Sequence, residues 1–484
     1  MKILMISPEI TPYSKAGGLG DMVSSLTLAL AERGHDVRVF TPLYGSVKPS
    51  PARVAHPEAL RVNLSPLERP EARVWREPFG KATVLFLEYN DFFGGAEIYG
   101  DRADNGRRFA FFTRAALDFC EQDKWIPDIV HGHDWTAGLA PVYLNTREYD
   151  RPLGRAASVF TIHNLLHQGL FDKSVLSYAG LPGWLDSPGH LEALGGVNLM
   201  KGGLWHATKI TTVSPTYARE IRTAEFGCGL DDLLRHRAAD LVGILNGVDT
   251  ADWNPSADAH LPARFSASDL SGKAVCKAGL QKELVLAVEP GTALFGIVSR
   301  LWDQKGLDLF ADIADDLLKN ARLQVVLLGS GDKALEGRFL DLAARHPDRF
   351  HTHIGFNNAL SHRIEAACDF FLMPSRFEPC GLNQMYSMLY GTLPIVRATG
   401  GLADTVEPWY AGRATGTGIV FNTPNHAGLR WGVEEALRLY YDAPAEFQKL
   451  RVNAMTRDFG WGESARQYEE VYRWALDIRR HARS

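Results

Sequence analysis

The strongest constraint on this chain is a rhythm. Short apolar runs alternate with stretches of helical period, and the sequence passes through that alternation twice. In the first half strands are read at residues 3–7, 36–40, 128–135, 159–164 and 211–214. In the second half they fall at 294–298, 324–328, 350–354, 370–373 and 393–398, with helical stretches at 307–318, 335–344 and 382–390 between them. Strands separated by helices predict parallel sheets covered on both faces, and such sheets bind ligands beyond the carboxyl ends of their strands. With 484 residues the chain exceeds what one hydrophobic core usually supports. The reading is therefore α/β, with two doubly wound domains at 1–245 and 246–456 and a C-terminal helix at 457–484. The polar, proline-containing stretch from Asp252-Trp253-Asn254-Pro255 to about Lys273 reads as the crossing into the second domain.

Composition narrows the partners. A net charge of −5 argues against nucleic acid, so any phosphate must be met by local Lys, Arg and helix N-termini. The five cysteines are widely spaced, odd in number and free of a C-x-x-C pair, which fits neither a disulfide framework nor a zinc site and points to a reducing cytoplasm. The first apolar run is too short for a signal peptide or membrane span.

Chemistry concentrates in residues 374–406, P-S-R-F-E-P-C-G-L-N-Q-M-Y-S-M-L-Y-G-T-L-P-I-V-R-A-T-G-G-L-A-D-T-V. The apolar run ending at Met373 stops at Pro374, so Glu378 falls on a loop past a strand's carboxyl end. Gly381 then opens a helix whose first N–H groups favour an anion. A second strand ends in Thr399-Gly400-Gly401, where glycines would let a ligand approach the backbone. Earlier, Lys15-Ala16-Gly17-Gly18-Leu19-Gly20-Asp21 follows the first strand but does not fit the dinucleotide pattern G-x-G-x-x-G. His131 and His133 share a strand face ahead of Asp134, yet nothing completes a metal set at convincing spacing, so no metal is assigned. Ser299 to Gly306 places Arg300 and Lys305 in a strand-to-helix loop, where two cations oppose the helix dipole unless an anion lies between them.

Together these segments resemble the signatures of the glycogen and starch synthases, retaining glucosyltransferases of the GT-B fold. The carrying motifs are K-x-G-G-L at Lys15, H-x-H-D-W at His131, T-I-H-N at Thr161, R-L-x-x-Q-K-G at Arg300, S-R-F-E-P-C-G-L at Ser375 and the run from Gly391 to Val406. They stand in the family's order along essentially the whole chain. The resemblance implies two Rossmann-like domains facing a central cleft, acceptor side first and nucleotide-sugar donor side second, with the last helix crossing back to the first domain. It implies transfer of glucose from ADP-glucose to the non-reducing 4-OH of glycogen or another α-1,4-glucan, with retention and with neither cofactor nor metal.

By the same resemblance Lys15 reaches the distal phosphate, Gly17 and Gly18 approach sugar or phosphate, Asp134 contacts the glucose and His163 sits under the reacting carbon. Arg300 and Lys305 bind the diphosphate, Glu378 holds sugar hydroxyls, and the N–H groups from Gly381 through Leu382 to Asn383 meet negative charge. Phe356 stacks on the base, and Asp21, Asn246, Cys380 and Gly401 complete the substrate-binding set. Three departures stand out: Tyr386 occupies the second glutamate position of the broader E-x7-E pattern, Asn383 replaces a threonine, and Phe356 replaces a tyrosine. Cys380, beside a predicted helix start, is expected to be a reactive thiol. The alternatives are a UDP-glucose-dependent synthase, a catalytically silent glucan-binding protein and a nucleotide-sugar epimerase on the same fold.

Overall fold

The structure is a computed structural model that describes residues 1–66 and 68–482. It divides into two compact units, one formed by Met1–Gly247 with the segment from Trp461 onward, the other by Val248–Gly460. Among the described residues no helix is long and apolar enough to cross a membrane.

In the first unit the strands are β1 (Lys2–Ile6), β2 (Asp36–Pro42), β3 (Val54–Ala55), β4 (Leu60–Arg61), β5 (Glu71–Phe79), β6 (Ala82–Glu88), β7 (Ile129–His133), β8 (Ala157–Ile162), β9 (Leu170–Phe171), β10 (Glu192–Ala193), β11 (Gly196–Asn198), β12 (Lys209–Thr212) and β13 (Leu241–Gly243). The main sheet runs β13-β12-β8-β7-β1-β2-β6-β5-β3. It is parallel from β13 to β6, and β5 and β3 then extend it antiparallel. The central strands are apolar on both faces because helices cover both; Ile3 to Ile6 are wholly buried. From β1 the chain passes to β2 on one side and later to β7 on the other, so the order reverses at β1 and β7. The crevice outside such a reversal is where a doubly wound sheet takes its ligand. The residues that follow these two strands are Glu9 to Lys15 and Asp134.

Helix Trp461–His481 belongs to this unit. It buries Tyr468, Val471, Tyr472 and Ala475 against a cluster containing Ile3, Met5, Val37 and Val159. Burying one large apolar side chain of this kind is worth roughly 1.5–3 kcal/mol. Its Glu469 accepts a two-pronged bond from Arg33, at 2.9 and 2.8 Å, and a third from His35, which hold the carboxylate down to about 2.

The second unit is an all-parallel sheet of β14 (Ala293–Leu301), β15 (Leu323–Gly331), β16 (Phe350–Ile354), β17 (Phe370–Met373), β18 (Leu393–Arg397) and β19 (Ile419–Phe421), in the order β16-β15-β14-β17-β18-β19. Its reversal lies between β14 and β17. Arg300 is the last residue but one of β14, and the loop carrying Glu378 follows β17.

One expectation is corrected here. The stretch 252–273, read as the crossing into the second domain, already lies inside the second unit and anchors several side chains in its core. Trp253 lies face to face between His362 and Tyr386, with ring centroids 3.9 Å away on each side. Phe265 is buried in the same cluster, and buried Asp258 accepts bonds from His362 Nδ1 (2.8 Å) and the Tyr390 hydroxyl (2.6 Å). Asp258 and Lys273 are satisfied inside the core, whereas Asp252, Ser256, His260, Arg264, Ser268 and Asp269 stay exposed.

Candidate active-site residues of the two units

In the second unit the loops after β14 and β17 are locked to each other. Gly306 has φ +63°, and a Cβ there would stand 2.2 Å from the Pro374 carbonyl oxygen, so only glycine lets the two backbones touch. Arg376 N–H donates to the Gln304 carbonyl at 2.8 Å, and its guanidinium grips Asp308 at 2.7 and 2.6 Å. This clamp places Lys305, in the short 3-10 turn Asp303–Lys305, against Glu378. Lys305 Nζ donates to both Glu378 oxygens, at 2.9 and 2.7 Å, and Ser375 Oγ donates to Oε2 at 2.9 Å. Glu378 is 5% exposed. The dipole conflict expected for Lys305 is thus met by a protein carboxylate. Arg300 stays exposed at the end of β14, and among the described residues its guanidinium has no partner.

Beyond Glu378 the backbone is packed too tightly for side chains. At Gly400 (φ +44°) a Cβ would lie 1.8 Å from the Glu378 carbonyl oxygen, and at Gly401 one would lie 2.0 Å from that of Cys380. Gly401 N–H donates to the Glu378 carbonyl at 3.1 Å. These glycines admit the chain's own backbone, which corrects the expectation that they lie open to a ligand. Gly381 takes φ +71°, and Gln384 Nε2 bonds the carbonyls of Cys380 (3.1 Å) and Gly381 (3.0 Å), fixing the turn.

Leu382 caps the helix Asn383–Leu389, which at seven residues offers an anion only the N–H groups of its first turn. The Asn383 amide is spent on the Val298 carbonyl of β14, at 2.6 Å, so it ties that helix to the sheet. Cys380 is buried, and the expectation of a reactive thiol there gives way, since attack needs access. The exposed thiol is Cys228. Phe356 follows Gly355 at the end of β16 and is 83% exposed, so it fills no core and its ring face is open.

In the first unit Glu9, which sequence reasoning passed over, organises the glycine loop. Its buried Oε2 accepts from the N–H groups of Ala16 (2.6 Å) and Gly17 (3.0 Å), and Oε1 accepts from the Tyr99 hydroxyl at 2.5 Å. An acid directly after a strand and a proline was the available signal. Gly17 caps helix Gly18–Glu32, and Lys15 reaches forward to Asp21 at 2.6 Å, itself held by Thr11. Asp134 adopts φ +56°, rare for a residue with a Cβ, and its Oδ1 accepts from His163 N–H at 2.7 Å. Burial pushes the Asp134 carboxyl up to about 8 against the lowering effect of bonds from the backbone of His163 and Asn164.

His163 is half-buried, and its Nε2 lies 3.1 Å from His133 Nδ1. His131 is occupied by the Tyr472 hydroxyl (2.9 Å) and Thr161 (2.6 Å), which leaves it no coordinating nitrogen. Burial holds His131 and His163 down to about 3, so both rings are neutral. Asn246 is buried, and its Oδ1 has no partner among the described residues. Thus Lys15, Gly17, Gly18, Asp21, Asp134, His163 and Asn246 fall in the first unit, and Arg300, Lys305, Phe356, Glu378, Cys380 to Asn383 and Gly401 in the second.

Two Rossmann-like domains, the second with a lysine-bound glutamate and an unpaired arginine at its sheet reversal, are the architecture of a GT-B glycosyltransferase. Residues 2–236 match the starch synthase catalytic domain family, and residues 285–451 match glycosyl transferases group 1. The chain is 49% identical over 479 residues to a glycogen synthase of Anaeromyxobacter dehalogenans, covering 98% of this chain and 99% of that one. It is 48% identical over 483 residues to the glycogen synthase of Myxococcus xanthus, with the same coverage. Among solved structures, the catalytic domain of starch synthase IV from Arabidopsis thaliana, bound to ADP and acarbose, superposes with a TM-score of 0.91 at 35% identity, covering 98% of this chain and 99% of that one. The chain belongs to the glycogen and starch synthase family.

Proposed function

We propose that this protein transfers glucose from ADP-glucose to the non-reducing 4-OH of an α-1,4-glucan such as glycogen, with retention of configuration. The observation that carries the proposal lies at the second sheet's reversal, a buried Glu378 held by Lys305 after β17 and, near the end of the neighbouring β14, an exposed Arg300 whose guanidinium has no partner among the described residues. Its family membership and the ADP held by the Arabidopsis relative support the choice of donor.

In this reading Arg300 takes the diphosphate, with Lys305, Lys15 and the N–H groups at Gly381 to Asn383 sharing its charge. Glu378 offers its remaining lone pairs to sugar hydroxyls, and its charge offsets the positive character that develops on the sugar. Asp134 and His163 hold the glucose, Asn246 and Asp21 complete its binding, and Phe356 stacks on the adenine. The acceptor's 4-oxygen bonds to C1 as the C1–phosphate oxygen bond breaks on the same face. The 4-OH proton passes to the departing phosphate, so no protein nucleophile is consumed. Positive side chains supply the electrophilic help, and the reaction runs without a metal or cofactor. Five cysteines with no disulfide among them suit a cytoplasmic setting.

Calorimetry with ADP tests the donor assignment. The full chain should bind ADP equally with and without EDTA, and Arg300→Ala should weaken binding by about tenfold or more, the worth of a hydrogen bond to a charged group. Equal ADP affinity in Arg300→Ala, or binding abolished by EDTA and restored by magnesium, would overturn this site.

A further inference from the structure

We infer that His133, through its contact with Met5, fixes the tautomer of His163, so that His163 meets the transferred sugar through an unprotonated Nδ1 that accepts a hydroxyl hydrogen bond. The inference rests on the transferase reading for its substrate, whereas the tautomer itself follows from the geometry of one unit alone.

The register of the central strands brings the three side chains together. Met5 on β1 lies opposite His131 on β7, and His133, two residues further along β7, projects to the same face. His133 Nε2 sits 3.5 Å from Met5 Sδ. A thioether sulfur accepts a hydrogen bond weakly and has no proton to give. Met5 and His133 are both wholly buried, so a bare Nε2 lone pair aimed at the sulfur would leave two acceptors facing each other with no water to relieve them. Nε2 of His133 therefore carries the proton.

The rest follows from counting protons. Burial holds His133 far below the ordinary histidine range and His163 at about 3, so each ring has one proton. With Nε2 of His133 protonated, its Nδ1 is an acceptor, and the group 3.1 Å away is His163 Nε2. That nitrogen must donate, which leaves His163 Nδ1 as a lone pair. Among the described residues nothing bonds to this nitrogen, and the half-buried ring keeps it within reach of a ligand. The backbone is fixed as well, because His163 N–H is held by Asp134 Oδ1. His133 is thus a positioning residue, and Met5 sets its polarity. A histidine free to choose could donate or accept; here Nδ1 can only accept, which suits a partner with a proton to give, such as a sugar hydroxyl.

The test is a nitrogen-15 spectrum of the full chain labelled at its 16 histidines, with the two rings assigned from His133→Asn and His163→Asn proteins. Both rings should show a protonated Nε2 and a pyridine-type Nδ1; a protonated Nδ1 on His163 overturns the inference, whether or not the protein proves to be a glucosyltransferase. Met5→Leu gives the second arm, since it keeps the core filled and removes the acceptor. The His163 tautomer should then become mixed, and kcat should fall by about fivefold to tenfold at unchanged thermal stability, the worth of one neutral hydrogen bond. A Met5→Leu protein that keeps a single tautomer shows that the sulfur is not the determinant. Mixed tautomers with full activity show that the tautomer does not matter to the reaction. Either result overturns the corresponding step.

Discussion

Replacing Glu378 by alanine removes at one stroke the acceptor of the two Lys305 bonds and the Ser375 bond. The carboxylate is 5% exposed and the Lys305 side chain 19%, so the substitution strands an ammonium that has little water to turn to. Breaking a fully buried pair from one side costs about 3–5 kcal/mol. Lys305 keeps some solvent access, which brings the expectation to about 2–3 kcal/mol. Adding Lys305→Met should recover about 1–2 kcal/mol of that loss, because the stranded charge goes with it. Activity should follow a different course, with kcat at least about 10²-fold down in both the single and the double variant. Urea unfolding of wild type, both singles and the double gives the cycle. Hydrogen exchange over residues 370–405 should accompany it, since the two units need not unfold as one. A Glu378→Ala protein as stable as wild type, or a double variant less stable than Glu378→Ala, would refute the reasoning.

The remaining expectations concern single groups. Phe356 is 83% exposed, so Phe356→Ala should leave the unfolding midpoint unchanged. It should raise the KM for ADP-glucose by roughly tenfold, as expected when base stacking worth ~1–3 kcal/mol is lost, while Phe356→Tyr changes neither. For Asp134, the folded pKa of about 8 lies above the ordinary value of 3.8, so the folded state holds a proton that the unfolded chain has released. Its contribution to stability is complete below the ordinary value and is lost as pH rises towards about 8. Asp134→Asn, neutral throughout, should flatten that slope by a few kcal/mol in urea titrations run across the same range. Mass-mapped alkylation of the native protein should mark Cys228 first and spare Cys380; early labelling of Cys380 would contradict its burial.

Much of the scaffold could be read before the structure, because parallel strands buried on both faces leave continuous apolar runs that stop where function begins. Residues 324–328 and the strand from Leu393 are cases of this. The antiparallel extension was not read. In β5 buried Ala72 and Val74 alternate with exposed Glu71 and Arg73, a period-2 signal that nine residues rich in charge conceal. The stretch at 252–273 misled for a related reason, since Asp258 is polar yet satisfied inside the core.

The site residues were legible as motifs, but their partners were not. Lys305 and Glu378 are 73 residues apart, and their loops are brought together by the Gly306 and Pro374 contact and by the bonds of Arg376 to Gln304 and Asp308. Glu9 and Gln384 act on backbone groups, which carry no residue identity for a sequence pattern to register. Cys380 was misjudged because its neighbours in sequence describe its charge environment and not its access to solvent.

The account is tested most directly by offering the purified chain radiolabelled ADP-glucose and, separately, UDP-glucose, each with glycogen and EDTA, and digesting the product with an enzyme that releases maltose from non-reducing α-1,4 ends. Label from ADP-glucose should enter precipitable glucan and be released as maltose, at a rate that Glu378→Ala lowers by at least about 10²-fold. Label that stays in nucleotide sugar or appears only as free or epimerised sugar, or incorporation from UDP-glucose alone, would contradict it.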